Sequence, residues 1–238
     1  MNKYEDNKFI NKYIGLWAYG YVNKYCGTEG VYRIIENFII KEFKQNEKIH
    51  VLDIGCGVGR TTCDIAKFFN KAKVDAIDNS VLSIKAAKKI LKNKTHKNIQ
   101  IDLSDAGFNQ LSVPTYDFPN VNLIQDDFKQ KTYKNEYDLI VAVNMLDRCS
   151  SLENFIEQIY GALKPNGIFI GSMPFNFTSK LQWETTPNSK ELELVLRNRG
   201  FTISHYLKGV PYRELLDANG AYNEFYVDAF SAQKGDFI

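Results

Sequence analysis

The chain has 238 residues, a formal net charge of +2, 44% hydrophobic and 24% charged side chains. That composition fits one large α/β domain, or a domain with a cap, and excludes a disordered chain or a strongly basic nucleic-acid binder. Lys88, Lys89, Lys92 and Lys94 read as the solvated face of a helix. The four cysteines, Cys26, Cys56, Cys63 and Cys149, show neither C-x-x-C spacing nor a paired framework. They read as reduced thiols of a cytoplasmic protein, and no metal site is expected. The sequence has no apolar run of about 18 residues and Met1–Lys12 is polar, so neither a membrane span nor a signal peptide is expected.

Residues 4–25 predict an aromatic-rich helix. Phe9, Tyr13 and Trp17 fall at i, i+4 and i+8 on one face, where packing is the expected role of Phe9 and Tyr13. Trp17, Tyr19 and Tyr21 are candidates for a substrate lid, because Gly15 and Gly20 loosen the helix around them. Gly27–Gly30 is a turn, and a second helix spans roughly 30–45 with Val31, Ile34, Ile35, Phe38 and Ile39 on its apolar face. Residues 1–46 would then form a helical cap on a domain spanning 47–238.

Ile49, Val51, Leu52 and Ile54 make a buried strand that stops at Gly55. The pattern Asp53-x-Gly55-x-Gly57-x-Gly59 follows, then a helix over 59–70. Strand, glycine turn and helix let backbone approach a nucleotide closely. The spacing is not G-x-G-x-x-G; it resembles the cofactor motif of class I methyltransferases. That resemblance implies a Rossmann-like α/β fold, with a mostly parallel seven-stranded sheet and helices on both faces. It implies S-adenosylmethionine as cofactor, with Asp53, Gly55, Cys56, Gly57 and Arg60 around it. The next strand, 73–78, ends at Asp78, 19 residues past Gly59. An acid there accepts both ribose hydroxyls, with Asn79 beside it. Asp75, in mid-strand, is expected at a solvated edge or against a helix.

A helix over 80–93 follows, with Val81, Ile84, Ala87 and Leu91 inward. Residues 94–119 break the βα rhythm and read as an insertion in which Ile99–Leu103 alternates like an edge strand. Strand 121–125 ends at Asp126-Asp127-Phe128. One carboxylate, Asp127 for preference, would accept from the adenine amino group while Phe128 packs on the ring; either acid is otherwise a turn residue. The apolar strand 137–143 delivers Asn144 to Arg148 to the carboxyl edge of the sheet, where open α/β folds place ligands. A helix over 152–164, a turn at 165–167 and a strand over 168–173 lead to a loop carrying Phe175 and Trp183. After a helix over 188–199, strands 201–207 and 224–231 close the chain, with irregular structure from Pro211 to Tyr222.

Asn144-x-x-Asp147-Arg148, Ser172-Met173-Pro174-Phe175 and Trp183-Glu184-x-x-Pro187 form a more specific combination. It resembles the methyltransferase domain that ends the ovothiol synthases, which methylates an imidazole nitrogen of mercaptohistidine, and its free-standing relatives. The likeness spans about residues 13–232; it departs in a shorter loop after Trp183 and is only partial over Pro211–Glu214. The Asn-x-x-Asp-Arg element is also similar to that of protein-histidine methyltransferases acting on His-x-His peptides. The resemblance implies Asn144 and Asp147 as catalytic groups favouring the positive charge that moves onto the ring, with Asn144 also near the cofactor. Trp17, Tyr19, Tyr21, Arg148, Phe175 and Trp183 would contact the substrate. Arg148 pairs either with a substrate carboxylate or, structurally, with Asp147 or a helix, and Asp147 is alternatively a helix N-terminal residue. A small histidine derivative is the leading acceptor; a peptide histidine, another small-molecule nitrogen, and a non-catalytic S-adenosylmethionine binder are the alternatives. Neither nucleic acid nor membrane is expected as a partner, and the ring nitrogen and oligomeric state stay open.

Overall fold

Four of the five residues of His50–Ile54 are buried in succession, the signature of a strand covered on both faces. It forms the centre of the computed structural model, which describes residues 3–19, 27–177 and 180–235; Tyr21 lies outside them. The helices are α1 (Asn7–Lys12), continued by a π-helical turn over Tyr13–Ala18, α2 (Glu29–Glu42), α3 (Arg60–Phe68), α4 (Val81–Leu91), α5 (Leu152–Ala162), α6 (Lys180–Thr185) and α7 (Ser189–Asn198). The strands are β1 (His50–Ile54), β2 (Lys73–Asp78), β3 (Asn98–Ile101), β4 (Leu111–Pro114), β5 (Val121–Gln125), β6 (Tyr137–Val143), β7 (Leu163–Met173), β8 (Phe201–Leu215) and β9 (Tyr222–Lys234).

Seven strands make one sheet in the order β5-β2-β1-β6-β7-β9-β8. β5, β2, β1, β6 and β7 run parallel, and β9 is antiparallel to both β7 and β8. This is the expected mostly parallel sheet. Alternation along the strands sorts the core into two layers. Val51, Leu139, Val141 and Ile170 face α2, α3 and α4, while Leu52, Ile140, Ala142 and Phe169 face α5 and α7. Phe169 is fully buried, and its truncation to alanine would cost about 3–5 kcal/mol. Residues of the expected cap share the first layer: Ile10, Ile14 and Leu16 belong to the same cluster as Val51 and Ile65.

Several stretches differ from expectation, among them residues 163–167, where β7 already begins in place of a helix end and turn. Asn98–Ile101 pairs with Leu111–Pro114 in a separate two-stranded hairpin, not with the main sheet. Its following turn braces the N-terminal helix: Lys8 pairs with Asp105 at 3.1 Å and Asn11 donates to the Asp102 carbonyl. Gly15, expected to loosen that helix, is instead where Leu103 presses on it; a Cβ there would lie 2.7 Å from Leu103 Cδ1. Finally, Pro211 to Tyr222 is largely regular, because β8 and β9 remain paired from Val210↔Val227 out to Leu215↔Tyr222. Pro211 is tolerated because β8 is the sheet's edge strand and its missing N–H breaks no ladder on the open side.

Candidate functional site

A cavity of about 460 Å³ opens at the carboxyl ends of the central parallel strands. Its floor is the turn after β1. Gly55 and Cys56 donate their N–H groups to the Ile77 carbonyl at 2.8 and 3.1 Å, which folds the turn onto the end of β2. Gly57 has φ +54°, a left-handed conformation, and a Cβ there would lie 2.8 Å from the Tyr13 hydroxyl. Only glycine fits between the roof and the turn at this position.

Asp78 stands on the cavity wall at the end of β2. Its Oδ2 accepts from Gly57 N–H at 2.9 Å and its Oδ1 from Ser80 N–H at 2.8 Å. Burial raises its carboxyl above the ordinary range, and these two donors oppose that rise. Asn79, Asp126, Asp127 and Phe128 line the same end, with Ile54 and Ile77 as apolar neighbours. Asp126 accepts from Asp127 N–H and pairs with Lys131 at 2.9 Å; Asp127 caps the following turn by accepting from Lys129 N–H. A glycine-rich turn whose two side chains, Cys56 and Val58, are buried, a carboxylate on the wall and an apolar slot with acids at its rim suit a nucleoside, so these residues fit the implied cofactor.

Asn144, which follows β6 on the other side of β1 from β2, lines the cavity with φ +51°, strained for a non-glycine residue. Ser172 holds it there: Asn144 N–H donates to the Ser172 carbonyl at 3.1 Å and to Ser172 Oγ at 3.0 Å, while Ser172 Oγ donates to Asn144 Oδ1 at 2.8 Å. Arg148 also lines the cavity. Trp17 closes the roof, its Nε1 donating to the Leu215 carbonyl at 2.6 Å.

Several expected site residues lie elsewhere. Asp53 points the other way along β1, into α3, where its Oδ2 accepts from Thr62 Oγ1 at 2.5 Å; burial lifts its pKa to about 7 against that bond. Cys56 is buried beneath the turn, and burial pushes its thiol up. Arg60 is held behind the turn by Asp64 at 2.7 Å, Glu29 at 3.2 Å and the Ala18 carbonyl at 3.0 Å. Tyr19 donates to the Val58 carbonyl and is buried away from the wall. Asp147 has no exposed surface, because the short turn Leu146–Arg148 directs it inward; its Oδ2 lies 3.6 Å from Arg148 Nη2. Phe175 packs on Phe177, leaving its neighbours Pro174 and Asn176 on the wall. Trp183 sits on α6, where a loop was expected, and is 52% exposed.

The structure adds wall residues that sequence reasoning missed. Tyr4, Phe9 and Tyr13 complete the roof, so Phe9 and Tyr13 do more than pack. Tyr4 is fixed by Ser80 Oγ donating to its carbonyl at 2.7 Å, and its ring meets Phe9 edge-on. Tyr212 and Glu214 of β8 lie opposite Phe225 and Asn223 of β9, and all four line the cavity. Their period-2 spacing is the signal that would have found them. Burial raises the Tyr13 and Tyr212 hydroxyls well above 10, so both stay protonated donors.

Residues 52–169 match a family model described as a methyltransferase domain. A malonyl-[acyl-carrier protein] O-methyltransferase of Priestia megaterium is 29% identical over 155 residues, 65% of this chain and 45% of that protein. The chain spans between about a third and just over half the length of the first curated relatives it matches. Among solved structures, the CurJ carbon methyltransferase superposes with TM-score 0.63 at 17% identity, covering 98% of this chain and 59% of that one. A SAM-dependent methyltransferase from Aquifex aeolicus gives TM-score 0.54 at 19% identity over 84% of this chain and 89% of that one. No helix among the described residues is long and apolar enough to cross a membrane.

Proposed function

We propose that this chain is a class I S-adenosylmethionine-dependent methyltransferase and that it methylates an imidazole nitrogen of a small histidine derivative of the mercaptohistidine type. The observation that supports the reading is Asn144, held by Ser172 in a strained conformation on the cavity wall just after β6. The Asn144-x-x-Asp147-Arg148 element resembles that of imidazole methyltransferases, which supports the same acceptor.

When bound, the cofactor supplies an electrophilic methyl carbon on a positively charged sulfur. Asn144 Oδ1 has two lone pairs, and Ser172 uses one. The second accepts the N–H of the imidazole, which turns the lone pair of the other ring nitrogen toward the methyl group. As positive charge moves onto the ring, that acceptor bond strengthens, so it favours the transition state over the ground state. An imidazole with a pKa near 6.5 is mostly neutral at physiological pH and needs no strong base to attack. Asp147 stands behind Arg148 and orients the guanidinium, whose fork suits a carboxylate of the acceptor. The aromatic roof of Tyr4, Phe9, Tyr13 and Trp17 excludes water and favours a small acceptor over a peptide.

The test is a methylation screen over histidine, mercaptohistidine, histamine and His-x-His peptides, read by mass spectrometry. Ring methylation of a small imidazole is the expected result. Turnover confined to peptides, or to non-imidazole acceptors, overturns the proposal.

A further inference from the structure

Arg148 and Glu214 bring opposite charges to the same cavity from different parts of the fold. Arg148 comes from the turn after β6 and Glu214 from β8. The Tyr4 hydroxyl registers both: Arg148 lowers its pKa and Glu214 raises it, on top of the rise from burial. Glu214 lines the cavity together with Tyr4, Tyr13, Tyr32 and Tyr212, so its carboxylate shares an aromatic enclosure. Across the hairpin it is paired in register with Asn223, which shares the wall.

We infer that Glu214 is a specificity-determining residue: it binds the α-ammonium of the acceptor against the tyrosine rings while Arg148 takes the α-carboxylate, so the cavity selects free α-amino acids. The inference rests on the methyltransferase reading of the site, and on the imidazole reading only for which ring is methylated. A carboxylate beside aromatic faces is the arrangement that attracts a primary ammonium, and a guanidinium fork the one that attracts a carboxylate. A histidine inside a peptide carries neither charge, so seating it here would bury Arg148 and Glu214 against neutral amides. A decarboxylated amine satisfies Glu214 but not Arg148.

The experiment compares the full-length protein with Glu214→Gln and Glu214→Asp. The coded amino acids, mercaptohistidine and their N-α-acetyl counterparts are titrated calorimetrically into protein saturated with S-adenosylhomocysteine. kcat and KM are then measured for each acceptor that turns over. We expect wild type to prefer a free amino acid over its N-α-acetyl form by about 100-fold or more. Glu214→Gln should reduce that preference to under about 10-fold, chiefly through KM, and Glu214→Asp should restore part of it. Cofactor affinity should stay within about twofold. Equal binding of free and acetylated forms by wild type overturns the inference. So does an unchanged preference in Glu214→Gln, or binding of no free amino acid. If Glu214→Gln weakens cofactor binding as much as acceptor binding, Glu214 holds the cofactor's own amino-acid end and the inference is wrong. If a non-imidazole amino acid binds and is methylated, the imidazole reading fails while the role of Glu214 is still decided by its preference ratio.

Discussion

Tyr13 resting on the glycine turn is open to a direct thermodynamic test. A Cβ at Gly57 would lie 2.8 Å from the Tyr13 hydroxyl, 3.0 Å from its Cε1 and 3.2 Å from its Cζ. Gly57→Ala therefore incurs two costs. One is the left-handed backbone of an alanine at φ +54°, roughly 1–2 kcal/mol. The other is overpacking against the tyrosine ring, about 1–3 kcal/mol. Replacing Tyr13 by leucine removes all three contacting atoms and leaves only the backbone cost. Urea unfolding of wild type, Gly57→Ala, Tyr13→Leu and the double variant, all without cofactor, should give a coupling of about 1–3 kcal/mol, with the double variant more stable than additivity allows. If the two effects add within about 0.5 kcal/mol, Tyr13 does not bear on the turn and the roof does not touch the cofactor loop.

Asp78→Ala should weaken S-adenosylmethionine binding by roughly 1.5–3 kcal/mol, measured by calorimetry, because it removes a charged acceptor from the nucleoside end; unchanged affinity in a folded variant refutes the assignment. Asn144→Ala should lower kcat/KM about 10²–10³-fold with little change in cofactor affinity, and parallel loss of both would move Asn144 into cofactor binding. Asp53, lifted from 3.8 to about 7 by burial, is held protonated in the folded protein over a range where the unfolded chain ionises. Its contribution is complete below about pH 4 and is lost as pH rises through about 7, so stability should fall by about 2–3 kcal/mol between pH 5 and 8 from this group. Asp53→Asn should flatten that slope in urea unfolding; an identical slope shows that Asp53 titrates normally.

The parallel strands and their order of use were legible because each is a short apolar run ended by a turn. The floor of the site was legible for the same reason: Gly55, Gly57 and Asp78 follow directly from strand ends. What failed was facing. Asp53 and Gly55 sit two residues apart in one motif, yet Asp53 is still inside the strand, on the face it shares with Val51, and so packs on α3, where Thr62 meets it, while the turn begins only at Gly55. Arg60 follows the turn closely in sequence but points back to Asp64, since i,i+4 partners on a helix are nearer than the turn's open side. Asp147 and Arg148 are adjacent, and a single turn sends one inward and the other to the cavity. Pro211 read as a breaker because a sequence does not reveal which strand will lie at the edge. Phe175 and Trp183 were placed by their neighbours in a motif, and the chain bends so that Pro174 and Asn176 face the cavity instead.

The β8–β9 ribbon has two independent faces. Tyr212, Glu214, Asn223 and Phe225 look inward, while Arg213 and Glu224 pair on the outside at 2.5 Å. The ladder between the strands is made by main-chain groups, so the inward side chains can be exchanged without altering the pairing. None of the four belongs to the strands that carry the glycine turn or Asp78. The ribbon's share of the cavity wall is thus built apart from the strands that carry the glycine turn and Asp78. On the proposed reading, changing these side chains would reshape the acceptor's surroundings and leave the backbone of the glycine turn where it is.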